Sequence, residues 1–576
     1  MSEMTSPDEI TPNAAEIPPL RSNTRGLFRR LPLSIVLPSA AAGAVAGTLT
    51  IALNGELWLT LGVGFAIAAL GAVRRRKTNI WRILGMRLAL RWRNWRGTDS
   101  APRTEPFAVP IPESGGLHCG MRWDGDHLIT MLRVDRTELT PTLLGPAEIR
   151  TGAAVSLAEV ARCLSQFDIR LAAVDVMTLA VRTRGPHHVV RLYEQLLGPL
   201  PATAERNLWL VLRFDPLDNA EAIANRGGAE VGMIRTALVA TRRVAARLAT
   251  RAVRVSVLTA EELAAVEATE LHDTDPRQWR ESWQALHFGG IDLAGYAVRP
   301  ERLDSEVLAT ASALPGLATL TRLRMTSAIG PETPAQRADT VTLTALVRQD
   351  TIGAGRQDPE QTPEGLGLLP LHGRQRRVLL DGGQLDRSAA VYGAPAALAR
   401  LSVPAGGCGP VLGATGDGLG VAIPLFGPSI RRVEIHGSLR FAQLMILRSI
   451  AVGAQVIVHS TRPESWDHMV DSVDSAAALS VSSPGGVQHT AAATMIVYDG
   501  VASAGQVSEA TAVHIRARVS QAAEADVVLI ESPDRPGDAV VRTAGGELPI
   551  HMVSVPQESG FLGVPEPAPA PELQPV

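Results

Sequence analysis

The fold class that the sequence predicts is a pair of cytoplasmic α/β (or α+β) modules behind an N-terminal two-helix transmembrane hairpin. Three observations carry it. Two uncharged stretches, Leu31 to Leu53 and Leu57 to Val73, stand close together near the start of the chain and nothing like them recurs. After them, apolar runs with strand and helix periods alternate over several hundred residues, the pattern of sheet domains. A segment rich in Gly, Pro and Gln, Ile352 to Arg374, divides that region in two.

Taking the elements in order, residues 1–30 read as a polar, disordered cytoplasmic leader. Residues 31–73 form the hairpin, its two stretches separated by Asn54-Gly55-Glu56. At 1.5 Å per residue they are about 34 and 25 Å long, near the ~30 Å of a hydrocarbon core. Arg21, Arg25, Arg29 and Arg30 precede the hairpin, and Arg74, Arg75, Arg76 and Lys77 follow it. The positive-inside rule then places both termini in the cytoplasm of a multi-pass inner-membrane protein. Within the first stretch, Gly43 and Gly47 have the spacing that lets helix backbones approach, and are read as a helix-packing pair.

Residues 74–98 read as a basic amphipathic juxtamembrane helix. Trp81, Leu84, Leu88, Trp92 and Trp95 fall within about 80° of one another on a helical wheel, edged by arginines. Such a stripe lies on a membrane surface or packs against a partner. Arg29, Arg30, Arg74, Arg75, Arg76, Lys77, Trp81, Trp92 and Trp95 are thus the expected contacts with inner-membrane lipids.

The first module spans residues 117–350. It opens with a hairpin, Cys119 to Trp123 and His127 to Val134, around Asp124-Gly125-Asp126. Helices at Leu157 to Phe167, His188 to Leu197 and Ala229 to Thr250 alternate with strands at Ile169 to Val181, Asn207 to Phe214 and Val253 to Leu258. The second module spans 377–555, and residues 556–576 form a Pro-rich tail expected to be disordered.

Composition excludes several function classes. A net charge of −3 over 576 residues exerts no general pull on nucleic acid. The three cysteines, Cys119, Cys163 and Cys408, stand too far apart for a zinc site or a disulfide framework. Lys77 is the only lysine of the chain. A phosphate-binding Walker loop, a protein kinase and a pyridoxal enzyme each need a lysine in the catalytic domain, so none of these is present in standard form.

The segments Arg242-Arg243-Val244-Ala245-Ala246-Arg247-Leu248, Val433-Glu434-Ile435-His436-Gly437-Ser438 with Ala442-Gln443 and Leu447-Arg448, and Gly453-Ala454-Gln455-Val456-Ile457-Val458 with Thr461-Arg462-Pro463 and Trp466 resemble EccE. So do the two N-terminal stretches with their basic flanks. EccE is the E component of actinobacterial type VII (ESX) secretion systems. The resemblance implies a subunit assembled with the EccB, EccC and EccD components, EccC supplying the ATPase.

Candidate chemistry is sparse. Asp215 and Asp218, after the strand ending at Phe214, have the chemistry of a divalent-cation site for a nucleotide sugar, but Asp215-Pro216 and Asp218-Asn219 read better as turns. Gly437-Ser438 stands between a strand and a helix, where amides can bind an anion. His187, His188 and His459 have no partner at metal-ligand spacing. The expected function is therefore a non-catalytic, membrane-anchored scaffold of the secretion complex, with no catalytic residue, metal or cofactor. The alternative is a membrane-anchored, cytoplasm-facing nucleotide-sugar transferase.

Overall fold

The structure is a computed structural model that describes residues 19–22, 33–52, 58, 61–63, 65–66, 74–75, 78–96 and 104–562, apart from 113–114, 136–138, 147, 328–339, 354–361, 381–384, 386–388, 483–492, 503–508, 517–524 and 536. Its N-terminal part differs from the expected hairpin. Helix α1 (Leu33–Ala52) packs against helix α2 (Ile80–Arg96). Yet among the described residues no helix is long and apolar enough to cross a membrane. The two-helix transmembrane hairpin and the multi-pass inner-membrane placement are corrected accordingly. The sequence reading counted absence of charge as apolarity, whereas residues 38–48 are Pro, Ser, Ala, Gly, Val and Thr, most of them small side chains that bury little hydrocarbon. Of the second stretch only 58, 61–63 and 65–66 are described, all helical. The leader lies largely outside the described residues, and the tail beyond residue 562 does so entirely.

Central strands buried on both faces build the first sheet, with alternation at its edge strand. β1 (Phe107–Pro110) pairs with β2 (His118–Asp124), which turns into β3 (His127–Val134) with Asp124 opposite His127. Gly125 in that turn has φ +60°, the left-handed value that glycine adopts without strain. β4 (Thr142–Leu144) and β5 (Ile149–Arg150) pair with each other and leave for the second sheet. The first sheet resumes at β6 (Ile169–Val181); helix α3 (His187–Leu197) follows, then β7 (Glu205–Phe214), helix α4 (Ala229–Ala249) and helix α5 (Ala260–Glu270). α5 starts on a capping box between Thr259 and Glu262. The far side is built from β8 (Arg280–Glu281), β9 (Leu286–Phe288), β10 (Ile291–Ala297), helix α6 (Ser305–Ser312), β11 (Ala318–Ser327), β12 (Val341–Ile352) and β13 (Ala390–Gly393). The strand order is β8-β9-β10-β12-β11-β6-β7-β3-β2-β1.

The neighbours along this order are all antiparallel. The expectation of an α/β first module is corrected here to a large antiparallel sheet with helices added. Alternation of strands and helices along a sequence does not encode pairing direction, and α3 shows how the two come apart.

The second sheet starts at β14 (Val411–Ala414) and β15 (Gly420–Ala422) and continues with β16 (Arg432–His436), helix α7 (Leu439–Ala451), β17 (Val456–Ser460), helix α8 (Glu464–Val473), β18 (Leu479–Ser482), β19 (Met495–Asp499), β20 (Thr511–Arg516), β21 (Val527–Glu531), β22 (Asp538–Thr543) and β23 (Gly546–His551). Its order is β18-β17-β19-β20-β16-β21-β22-β23-β14-β15-β4-β5. The pairs from β18 to β21 are parallel and those from β21 to β23 antiparallel. α3, which links β6 to β7, packs against α7 of this sheet instead of returning over its own strands. β6 and β7 therefore meet as an antiparallel pair, where a helix lying over its own sheet would have suited a parallel crossover.

The two sheets are joined by more than α3. β4 pairs with β15 across them. The Cys408 amide donates to the Thr203 carbonyl at 3.0 Å, and the Tyr193 hydroxyl accepts from the Val411 amide at 2.7 Å. A Cβ on Gly185 would lie 2.4 Å from the Ile450 carbonyl oxygen, so this approach requires glycine.

Arg448 anchors the second core. It is 1% exposed within α7, and its guanidinium forms a bidentate pair with Glu558 (3.0 and 3.1 Å) while also donating to the carbonyls of Val411, Leu412 and Val553. Arg448→Met would leave the Glu558 carboxylate buried without its charge partner, a loss of about 3–5 kcal/mol. Urea denaturation of the variant should show a midpoint lowered to match; a midpoint equal to that of the parent would contradict the assigned role.

Candidate interaction surface and buried charge network

Two features merit the name of candidate site, one exposed and one buried. The exposed one is α2. On one side Arg93 reaches the Glu281 carboxylate at 3.2 Å and the Gly373 carbonyl at 3.0 Å, and Asn94 donates to the Glu281 carbonyl at 3.0 Å. These bonds tie the helix to β8. On the other side Leu84, Leu88, Trp92 and Trp95 stand in solvent, the two tryptophans 54% and 81% exposed. The Arg96 guanidinium lies over the Trp92 ring at 4.2 Å, a cation–π contact. The result is a stripe of apolar side chains over three turns, held outward by a helix whose other face is fixed.

The remaining residues expected at a lipid surface distribute as follows. Arg74 and Arg75 form a two-residue strand paired with Thr78 and Asn79. Trp81 lies in α2, with its side chain outside the described residues, as are Arg29, Arg30, Arg76 and Lys77. Gly43 and Gly47 are both buried in α1.

The buried feature lies between α5 and the first sheet. Asp175 on β6 stands opposite Arg324 on β11, and its carboxylate accepts two guanidinium bonds of 2.6 and 2.7 Å. Arg213 on β7 approaches the same carboxylate at 3.4 Å and pairs with Asp124 at 2.7 Å. From α5, Glu267 meets Arg122 at 2.5 Å and Glu270 meets Arg322 at 2.7 Å. Arg348 extends the network by donating to the Glu270 carbonyl and forming a double bond pattern to Asp350, which His272 also reaches at 2.8 Å. The groups surround a cavity of about 40 Å³. α5 is thus seated on the sheet by its carboxylates and by the buried Leu263.

Burial pushes the Asp175 carboxyl toward protonation, but the guanidiniums of Arg324, then Arg213 and Arg322, outweigh it and hold the group well below the usual carboxylate range. These residues were not singled out from sequence. The signal was available as charge inside strand periods, Val174-Asp175-Val176 and Leu320-Thr321-Arg322-Leu323-Arg324.

The structure places the sequence candidates for chemistry as follows. Asp215 accepts from the Leu217 amide at 2.8 Å and Asn219 holds the chain at the Asp215 and Arg170 carbonyls, a turn closing the end of β7. At the N-terminus of α7, where an anion would bind, the Ser438 amide donates at 2.6 Å to the protein's own Glu531 carboxylate, and the Ser438 hydroxyl caps Phe441. His188 reaches the Ser472 carbonyl and stacks on Phe561; His459 stacks on Tyr498, which stacks on His514. His187 begins α3 and takes no part in these contacts among the described residues.

Residues 202–298, from the end of α3's loop through β7, α4, α5 and β10, match the model of the EccE family, described as a type VII ESX secretion system translocon. Over a longer span the chain is 27% identical to the ESX-1 secretion system protein EccE1 of Mycolicibacterium smegmatis, across 69% of this chain and 76% of that protein. These matches agree on EccE proteins as what this chain resembles. It is likewise 28% identical to the ESX-5 secretion system protein EccE5 of Mycobacterium marinum, across 44% of this chain and 63% of the relative. With the ESX-2 secretion system protein EccE2 of Mycobacterium tuberculosis it shares 24% identity across 67% of this chain and 66% of the relative. These similarities support a component of a type VII ESX secretion system. The matched region contains Arg213, Glu267 and Glu270, three members of the buried network, and the Arg242 to Leu248 segment.

Because the Asp175 pKa is depressed on folding, its contribution to stability is fully present above the unfolded-state pKa of about 3.9 and is lost as pH falls toward the folded value. Asp175→Asn should therefore be destabilised by about 3–5 kcal/mol at pH 7, with two guanidiniums left short of charge. The gap between variant and parent should narrow below about pH 4, read from denaturation midpoints across pH. A gap independent of pH would contradict the assignment.

Proposed function

We propose that this chain is a non-catalytic scaffold of the ESX secretion complex, docking other components, the EccB, EccC and EccD proteins, without transferring groups or hydrolysing nucleotide itself. The observation that carries the reading is the α2 stripe: exposed tryptophans and leucines on a helix pinned from behind form the kind of aromatic anchor on which protein interfaces concentrate their energy. The α7 N-terminus supports it from the other direction, since Glu531 already fills the anion position that a nucleotide phosphate would take. The Asp215 carboxylate, which accepts from the Leu217 amide, supports a turn role over that of a cation ligand. The fixed connection between the two sheets suits a body that holds partners at constant spacing.

Trp92→Ala with Trp95→Ala should lower recovery of other ESX components with the tagged full-length chain at least tenfold, at unchanged abundance and thermal stability, about 1.4 kcal/mol or more of binding energy. Unchanged recovery would remove α2 as the docking surface. Asp215→Asn with Asp218→Asn should secrete at near-parent levels in a complemented strain; loss of secretion with the complex assembled would favour the transferase.

A further inference from the structure

Six buried arginines, Arg122, Arg182, Arg322, Arg324, Arg348 and Arg448, each face a carboxylate. Arg206 does not. It lies near the start of β7, 5% exposed, and its Nη2 donates to the Ser312 hydroxyl at 2.8 Å. Ser312 in turn donates to the Ala309 carbonyl. Among the described residues Arg206 has no acidic side chain in ion-pair range, and its Nε is buried without a hydrogen bond. Two further hydroxyls nearby, Thr178 Oγ1 and Thr319 Oγ1, are likewise buried without a hydrogen bond among the described residues.

Sheet register explains why these groups gather. Arg206 stands opposite Ala180 on β6, and Ala180 stands opposite Thr319 on β11. The small Ala180 leaves the guanidinium room to lie across the sheet. Thr178, two residues along β6 and so on the same face, stands opposite Thr321. α6 closes the space above with Ser312, and Ser402 stands at its edge; the enclosed cavity has a volume of about 10 Å³.

We propose that Arg206 holds a monatomic monovalent anion of the halide class, chloride under ordinary conditions, in this cavity. The charge balance selects an anion, because a guanidinium taken out of water without a counter-charge costs several kcal/mol. A neutral water would satisfy the hydroxyls but leave that charge standing. The size selects a single atom, since about one water-sized sphere fits and an oxoanion does not. Arg206 and Thr178, whose Nε and Oγ1 are both buried without a hydrogen bond, line the cavity from β7 and β6, with Thr321 of β11 beside them. The ion would therefore pin three adjacent strands beneath α6, next to the joint where Thr203 meets Cys408.

The test is thermal unfolding of the full chain at constant ionic strength, with sodium gluconate replaced stepwise by sodium chloride or bromide. The expected result is a rise of several degrees in Tm that saturates with either halide, as binding to the native state alone requires, and that is absent in Arg206→Met. Equal stability in all three salts, or the same rise in Arg206→Met, would overturn the site. Should Arg206→Met fail to fold, crystals of the parent soaked in bromide decide: an anomalous peak at hydrogen-bond range of Arg206 Nε supports the proposal, and bromide found only elsewhere, or not at all, overturns it.

Discussion

Pairing of guanidinium with carboxylate in places without water is the constraint around which this molecule is arranged. Arginine cannot shed its proton to escape burial, so each one taken inside needs a fixed counter-charge and acceptors for its fork of donors. The chain meets this with strand register at Asp175 and Arg324, with a helix brought down onto the sheet at Glu267 and Glu270, and with a distant segment folded back at Glu558. The arrangement sets positions as much as it adds stability. Replacing such a pair by hydrocarbon is often neutral or favourable, whereas removing one member is costly.

The same logic connects the two sheets. β4 and β5 lie early in the chain but complete the edge of the second sheet, and β13 lies after the Gly- and Pro-rich segment but pairs in the first. α3 leaves β6 to lie on α7. A body assembled in this way resists hinge motion between its halves, since motion would break backbone pairing as well as side-chain contact. For a secretion-complex component that rigidity is the useful property: the α2 stripe at one edge and the surfaces of the second sheet keep a fixed separation.

Much of the local structure was legible. The Asp124-Gly125-Asp126 turn, the strand from Ile169 to Val181 and the long helix after Ala229 follow from glycine chemistry and from apolar periods, which are properties of neighbours in sequence. The turn reading of Asp215 rested on the same local rules. What could not be read was pairing. Nothing near α3 states that its apolar face would be covered by α7 some 250 residues away, while β6 and β7 pair antiparallel. The N-terminal stretches misled for another reason, because lack of charge was allowed to stand for hydrocarbon content over a segment of Ala, Gly, Ser and Thr. The buried network escaped notice because a charged residue in a strand reads as the solvent face until a partner on another strand is known.

Arg448 has a consequence for how the chain is made. Its guanidinium lies in α7, but Glu558 and the Val553 carbonyl that receive it come 110 and 105 residues later. At a synthesis rate of roughly 5–20 residues per second, α7 waits on the order of 5 to 20 s at the ribosome before that segment exists. Burying the Arg448 guanidinium before that segment arrives would leave it without its counter-charge, at a cost of several kcal/mol.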